Sequence, residues 1–305
     1  MSVIDEIERE LAEATGRLLA TAARLTDEDL RAPSLLPGWT RGHVLTHVAR
    51  NADSYVNLLS WARTGVRTPQ YASARAREAD IEAGAARPAA EQLADLRDSA
   101  ERFAAAIRGM PAEAWTAMVA GMNPPDHPAW YVPIRRLREV EVHHADLGAG
   151  YGWADWPETY VRRELHDTML WLGSESPAGE VVAREPGTGE VVRTWTGLGD
   201  GPVVEGTPRE LLAWLAGRTD GAGLRLGASQ APTGHGTSDA RPRRDTPDAC
   251  LRRDTPDARL RRDAAGGPPS PPPWPRPSPA ELPAEPPPSW PPAGNRSREP
   301  REERS

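Results

Sequence analysis

Cysteine is nearly missing from this chain: Cys250 is the only one in 305 residues. One thiol excludes an internal disulfide framework and a metal centre built from cysteine sulfurs. Lysine is absent, so the 37 basic side chains are all arginine, against 44 acidic ones, for a net charge of −7. That balance recommends no nucleic-acid partner. No run of ~18 apolar residues occurs, so no helical membrane span is expected. The start, Met1–Ser2–Val3–Ile4–Asp5–Glu6, lacks the basic and apolar blocks of a secretory signal. A cytoplasmic protein is the expectation. Phenylalanine is reduced to Phe103, while 33 prolines and 27 glycines are unevenly spread, and the last quarter of the chain is not expected to fold.

What is present up to about Gly173 is helical periodicity. Ile4, Ile7, Leu11, Leu18, Leu19 and Ala22 recur near the helical period between Ile4 and Leu25. Thr26–Asp27–Glu28–Asp29 restarts the chain with a cap-like cluster. Thr40 can cap a helix running to about Ala62, with Val44, Leu45, Val48, Tyr55, Leu58 and Leu59 as its stripe. Pro88–Ala89–Ala90–Glu91 opens another helix to about Ile107, and a further one spans Ile134 to Leu147 and stops at Gly148. Trp156–Pro157–Glu158 opens the next, ending near Leu172–Gly173.

The period then changes. Glu180–Ala183, Val191–Trp195 and Pro202–Glu205 are short β-type runs between glycine-containing turns. Thr207–Pro208–Arg209–Glu210 is a capping box with proline at the first helical position, starting a helix to Ala216, and Leu224–Arg225–Leu226 can add an edge strand. The organisation predicted is a mainly α chain: a helical bundle over residues 1–150 and a small α+β domain over 151–228. Residues 229–305 differ in kind. Arg243–Arg244–Asp245–Thr246–Pro247–Asp248–Ala249 recurs nine residues later at Arg252–Ala258, and from Pro268 the chain is proline-rich with isolated Trp274 and Trp290. Such units do not bury a core, so a disordered, dispensable Pro/Arg-rich tail is expected.

Chemistry concentrates in Arg138–Glu139–Val140–Glu141–Val142–His143–His144–Ala145–Asp146–Leu147. Residues four apart share a helix face, so Glu139 and His143 can offer an oxygen and a nitrogen to one ion. His43 and His47 repeat the spacing on the earlier helix. One imidazole from there would complete a three-ligand site with an open fourth position, the pattern of a catalytic zinc. At ~100° per residue, Leu137, Val140, His144 and Leu147 form one stripe, which sends His144 to the core. Arg136, Glu139, His143 and Asp146 form the adjacent polar stripe, which could line a pocket or pair within itself as a solvated face. Phase does not separate His43 from His47.

The segment Pro37–Gly38–Trp39–Thr40–Arg41–Gly42–His43–Val44–Leu45–Thr46–His47 resembles the metal helix of the mycothiol-dependent maleylpyruvate isomerases, whose bundle is DinB-like, a four-helix arrangement. Arg138–Tyr151 is similar to that family's second metal segment, Arg77–Pro88 to its intervening loop, and Gly206–Arg218 to the end of its C-terminal domain. The likeness runs in order from residue 1 to about 228 and leaves out the tail. It implies His47, Glu139 and His143 as the metal triad, with His43, Glu141 and His144 as their alternatives, and Arg77 and Arg218 as active-site arginines.

The activity implied is zinc- and mycothiol-dependent cis–trans isomerisation of maleylpyruvate to fumarylpyruvate, a step of gentisate breakdown. A C=C bond rotates only once it is made single, which a thiolate achieves by adding to one alkene carbon and leaving after the rotation. With no suitable cysteine in the chain, the thiol must come from outside, held as thiolate by the metal. The dicarboxylate substrate suits a clamp by Arg77 and Arg218. The His-Glu-x-x-His order of metalloproteases is absent. Other readings are a mycothiol S-transferase on the same fold, or a non-enzymatic zinc-binding regulatory protein whose proline-rich tail recruits a partner. Neither nucleic acid nor membrane is an expected partner, and a monomer is the expectation.

Overall fold

The first three helices each start where a short polar side chain turns back on the backbone. In the computed structural model, which describes residues 2–122, 125–172, 176, 178–227 and 282–291, Ser2 and Asp5 form a capping box at the head of α1 (Val3–Ala22). Thr26 and Asp29 do the same for α2 (Asp27–Arg31), and Thr40 and His43 for α3 (Arg41–Thr64). The next helices are α4 (Ala74–Ala85), α5 (Ala89–Arg108) and α6 (Val132–Asp146). Helices α1, α3, α5 and α6 pack on one another as a four-helix bundle. Their apolar stripes are buried, among them Leu18, Leu45, Leu58, Phe103, Leu137 and Val140. Each such side chain contributes ~1.5–3 kcal/mol on leaving water.

Helix α4 corrects one expectation: the stretch Arg77–Pro88, similar to a loop of the family, is helical as far as Ala85. Ser73 caps it by accepting the Ala76 N–H, and alanine fills its turns. Ile81, with Gly84 and Ala85, forms its buried side, so a single large apolar residue left no visible stripe. The helix lies close on α3 because glycines sit at the crossing. A Cβ on Gly42 would stand 2.2 Å from the Ala85 carbonyl oxygen, and one on Gly84 would stand 2.4 Å from Thr46 Cγ2. Gly42→Ala is therefore expected to cost about 1–3 kcal/mol through overpacking. A melting temperature equal to that of the unmodified protein would show that α4 rides outward at no cost.

A two-stranded ribbon, β1 (Met118–Val119) with β2 (His127–Pro128), precedes the turn Ala129–Tyr131 that enters α6. Beyond α6 comes α7 (Glu158–Leu172), then β3 (Glu180–Arg184), β4 (Val191–Thr196), β5 (Val203–Gly206), α8 (Pro208–Leu215) and β6 (Arg225–Gly227). The sheet order is β4-β3-β5-β6, with β3 and β5 parallel and both outer pairings antiparallel. Helix α8 packs on β3, β5 and α7, and its buried Leu211, Leu212 and Trp214 extend the one hydrophobic core shared with the bundle. The mainly α class and the small α+β unit agree with the sequence reading.

The tail differs from expectation at one place. The charged repeats and Cys250 lie outside the described residues. Residues 282–291, however, lie against the bundle, with Trp290 only 4% exposed. Average composition hid this, because one tryptophan buries a large apolar area wherever it finds a matching surface.

Candidate metal centre

Helices α3 and α6 cross where each carries ion-binding side chains. His47, second in the i, i+4 pair on α3, faces Glu139 and His143 on α6. His47 Nε2 stands 3.1 Å from Glu139 Oε2 and 3.1 Å from His143 Nε2, and His143 Nε2 stands 3.4 Å from Glu139 Oε2. With metal–ligand bonds of ~2.0–2.1 Å, donor atoms on one face of a tetrahedron lie about 3.3–3.4 Å apart. The three donors thus fit one face of a zinc site. Among the described residues, this is the group of three His, Cys, Asp or Glu whose ligand atoms converge.

The surroundings set the state of each donor. Burial pushes the His47 pKa down to about 4, leaving the imidazole neutral and its ring nitrogens available. For Glu139 burial opposes ionisation, but hydrogen bonds from His143 and His47 win and hold the carboxyl well below its ordinary range. For His143 burial disfavours the cation, yet the hydrogen bonds to Asp146 and Glu139 prevail and raise its pKa. Asp146 Oδ2 lies 2.8 Å from His143 Nδ1. With the proton of the neutral ring on Nδ1, Nε2 is left as the donor toward the cluster. A carboxylate behind a metal-binding imidazole plays this role in zinc sites generally.

The two predicted arginines occupy different places. Arg77, on α4, points Nη2 at His47 Nδ1, 3.3 Å away, with its guanidinium 5.9 Å from the centre of the Tyr71 ring. Arg218 grips Asp146 with two nitrogens, Nε to Oδ1 at 3.0 Å and Nη2 to Oδ2 at 2.7 Å. Its position is fixed by the end of α8. Gly217 takes φ 68°, and the Arg218 N–H then reaches back to the Ala213 carbonyl at 2.8 Å, the wrap of a Schellman motif.

The neighbouring candidates are engaged elsewhere. His43 Nδ1 accepts from the Thr40 N–H and its Nε2 meets Glu82 at 3.2 Å, outside the cluster. Glu141 lies on the other side of α6, held by Arg17 at 2.6 Å and by Tyr151. His144 is buried against Thr21 and stacks on Tyr151 with ring centroids 3.8 Å apart. Arg136 does not pair with Glu139. It is buried and donates to the Val48 carbonyl and Asn51 Oδ1 at 2.8 and 2.7 Å.

Two site residues escaped the sequence reading. Asp146 stood on the right stripe, yet its i−3 relation to His143 was given no role. Tyr71 precedes α4, and its hydroxyl is buried without a hydrogen-bond partner. No periodic signal marks it.

Residues 11–148 match the family model described as the mycothiol maleylpyruvate isomerase N-terminal domain. Residues 11–148 therefore carry the likeness to that family's N-terminal domain. The fold of the chain is similar to the crystal structure of the mycothiol-dependent maleylpyruvate isomerase, at 28% identity and a TM-score of 0.66, over 75% of this chain and 95% of that one. A histidine-to-alanine mutant of the mycothiol-dependent maleylpyruvate isomerase is similar at 27% identity, with the same TM-score and coverage. No curated protein matches the chain.

Proposed function

We propose that this protein is a zinc- and mycothiol-dependent isomerase that converts maleylpyruvate to fumarylpyruvate. The observation that carries the reading is the three-donor face of His47, Glu139 and His143, which leaves room for a fourth, external ligand. Bound there, zinc would hold the mycothiol sulfur as thiolate, the nucleophile that frees the substrate's double bond to rotate.

The chain's own residues prepare the rest. Asp146 keeps the His143 proton on Nδ1. Arg77 meets His47 on the ring nitrogen remote from the cluster. When His47 Nε2 serves as a ligand, the ring proton sits on Nδ1, and a guanidinium, which only donates, has no bond to make there. Arg77 is then available to a carboxylate of the substrate dianion. The Arg218 guanidinium, in contrast, is committed to Asp146, so its part is to orient His143 through that carboxylate.

The test is a reaction of the zinc-loaded protein with mycothiol and maleylpyruvate, followed by ultraviolet absorbance and proton NMR. The expected result is fumarylpyruvate with the thiol regenerated. A stable thioether with thiol consumed would identify an S-transferase. No thiol-dependent change in maleylpyruvate would remove the enzymatic reading. Arg77→Ala is expected to keep its zinc and lose roughly ten- to a hundredfold in kcat/KM, as a charge-assisted hydrogen bond of about 1.5–3 kcal/mol disappears. Unchanged kinetics would take Arg77 out of the site.

A further inference from the structure

The docked stretch of the tail meets a surface built to receive it. Trp290 lies between Trp130, from the turn that enters α6, and His166 of α7, with ring centroids 5.5 and 5.2 Å away. Its indole Nε1 donates to Oδ1 of Asp167, a carboxylate with no exposed surface. Oδ2 of the same carboxylate accepts from Tyr131 and from Arg138. The Trp290 carbonyl accepts from Arg163 Nε at 3.1 Å, while the other two nitrogens of that guanidinium hold Glu10 of α1 at 2.6 and 2.9 Å. Farther along, the Trp130 indole donates to the Pro283 carbonyl at 2.9 Å. The segment is therefore fastened near its start by the Pro283 carbonyl and at its far end by both the carbonyl and the buried indole of Trp290.

We propose that residues 282–291 act as an intramolecular latch: a Trp-Pro segment of this chain's own tail, seated in a notch between the turn that enters α6 and helix α7, and bracing α7 against that turn. The chemistry selects tryptophan over other aromatic residues. Phenylalanine fills much of the apolar slot but leaves Asp167 Oδ1 without the indole donor, and a buried acceptor without its partner is costly. Prolines suit the segment because they restrict the free chain, so less entropy is lost on docking. The occupant is the same chain. Residues 228–281 give a contour of up to ~3.3–3.6 Å per residue, ample to reach the notch, and tethering raises the local concentration of the segment far above that of a free molecule. The latch reaches the helix of the metal donors through Asp167, whose other oxygen accepts from Arg138, the neighbour of Glu139 along α6.

The full-length protein carries the test. Indole hydrogen exchange by NMR is expected to show the Trp290 N–H protected at least as well as a core amide. Trp290→Ala is expected to lower the melting temperature by roughly ten degrees, from the loss of a buried tryptophan. Trp290→Phe is expected to fall between the two. The melting temperature should not change over a hundredfold range of protein concentration, because cis docking is unimolecular. Exchange at the rate of a free indole would overturn the latch, as would variants that melt with the unmodified protein. A melting temperature that climbs with concentration would show that the segment comes from a second copy and would overturn docking in cis. If Trp290→Ala does not fold, the exchange rate in the unmodified protein decides.

Discussion

His143→Ala is expected to purify without bound zinc, whereas His144→Ala keeps about one equivalent per chain, the load of a single three-ligand site. The two residues are adjacent in sequence, yet the helix turns them to different neighbours. His143 Nε2 converges with His47 and Glu139, while His144 Nε2 is spent on Thr21 in the interface between α1 and α6. Losing His144 removes a buried stacking partner of Tyr151 and a hydrogen bond, so about 1–3 kcal/mol of stability should go with it. The two variants thus separate metal binding from folding. His143→Ala should lose zinc with little change in the melting temperature of the metal-free protein, and His144→Ala should do the reverse. Elemental analysis and thermal melts on the same samples check both. Zinc retained in His143→Ala and lost in His144→Ala would mean that the wrong face of α6 was assigned.

The contrast between these histidines was legible because α6 carries a strong apolar stripe. Leu137, Val140 and Leu147 fix the phase of the helix, and the polar stripe beside them then points toward α3. The choice of His47 over His43 was not legible from phase. The structure separates them by a local feature: His43 is the third residue of its helix and turns back to the Thr40 N–H as the second half of a capping box. Helix α4 stayed hidden for a different reason. It packs through glycine and alanine against α3, and close approach of backbones leaves no large apolar side chains to count. Trp290 was invisible because its burial depends on a notch assembled from residues 130, 163, 166 and 167, far away in the chain. The role of Arg218 needed the third dimension as well. The cation at the end of α8 was visible, but its partner 72 positions earlier was not.

Arg218→Ala is expected to weaken zinc binding by roughly ten- to a hundredfold, the effect usual for losing a partner behind a metal ligand. The reasoning starts at Asp146. Burial raises the pKa of that carboxyl, but the Arg218 charge and the hydrogen bonds from His143 and Arg218 bring it below its ordinary value. Without Arg218, a nearly buried carboxylate keeps the His143 N–H but loses its cationic partner, and its grip on the His143 ring loosens. Asp146→Asn should produce a loss of similar size, since the amide keeps the shape but neither the charge nor the second acceptor. The double variant should bind zinc no more weakly than Asp146→Asn alone, because both changes break one chain of contacts. Arg218→Lys retains the charge but loses the two-pronged fit to Asp146, and should recover only part of the affinity. The competing account gives Arg218 a direct grip on the substrate. In that case Arg218→Ala would bind zinc as tightly as the unmodified protein while kcat/KM falls at saturating metal. Chelator competition and steady-state kinetics on one preparation distinguish the two, and full zinc affinity with a collapsed kcat/KM would move Arg218 from behind the metal to the substrate side of the site.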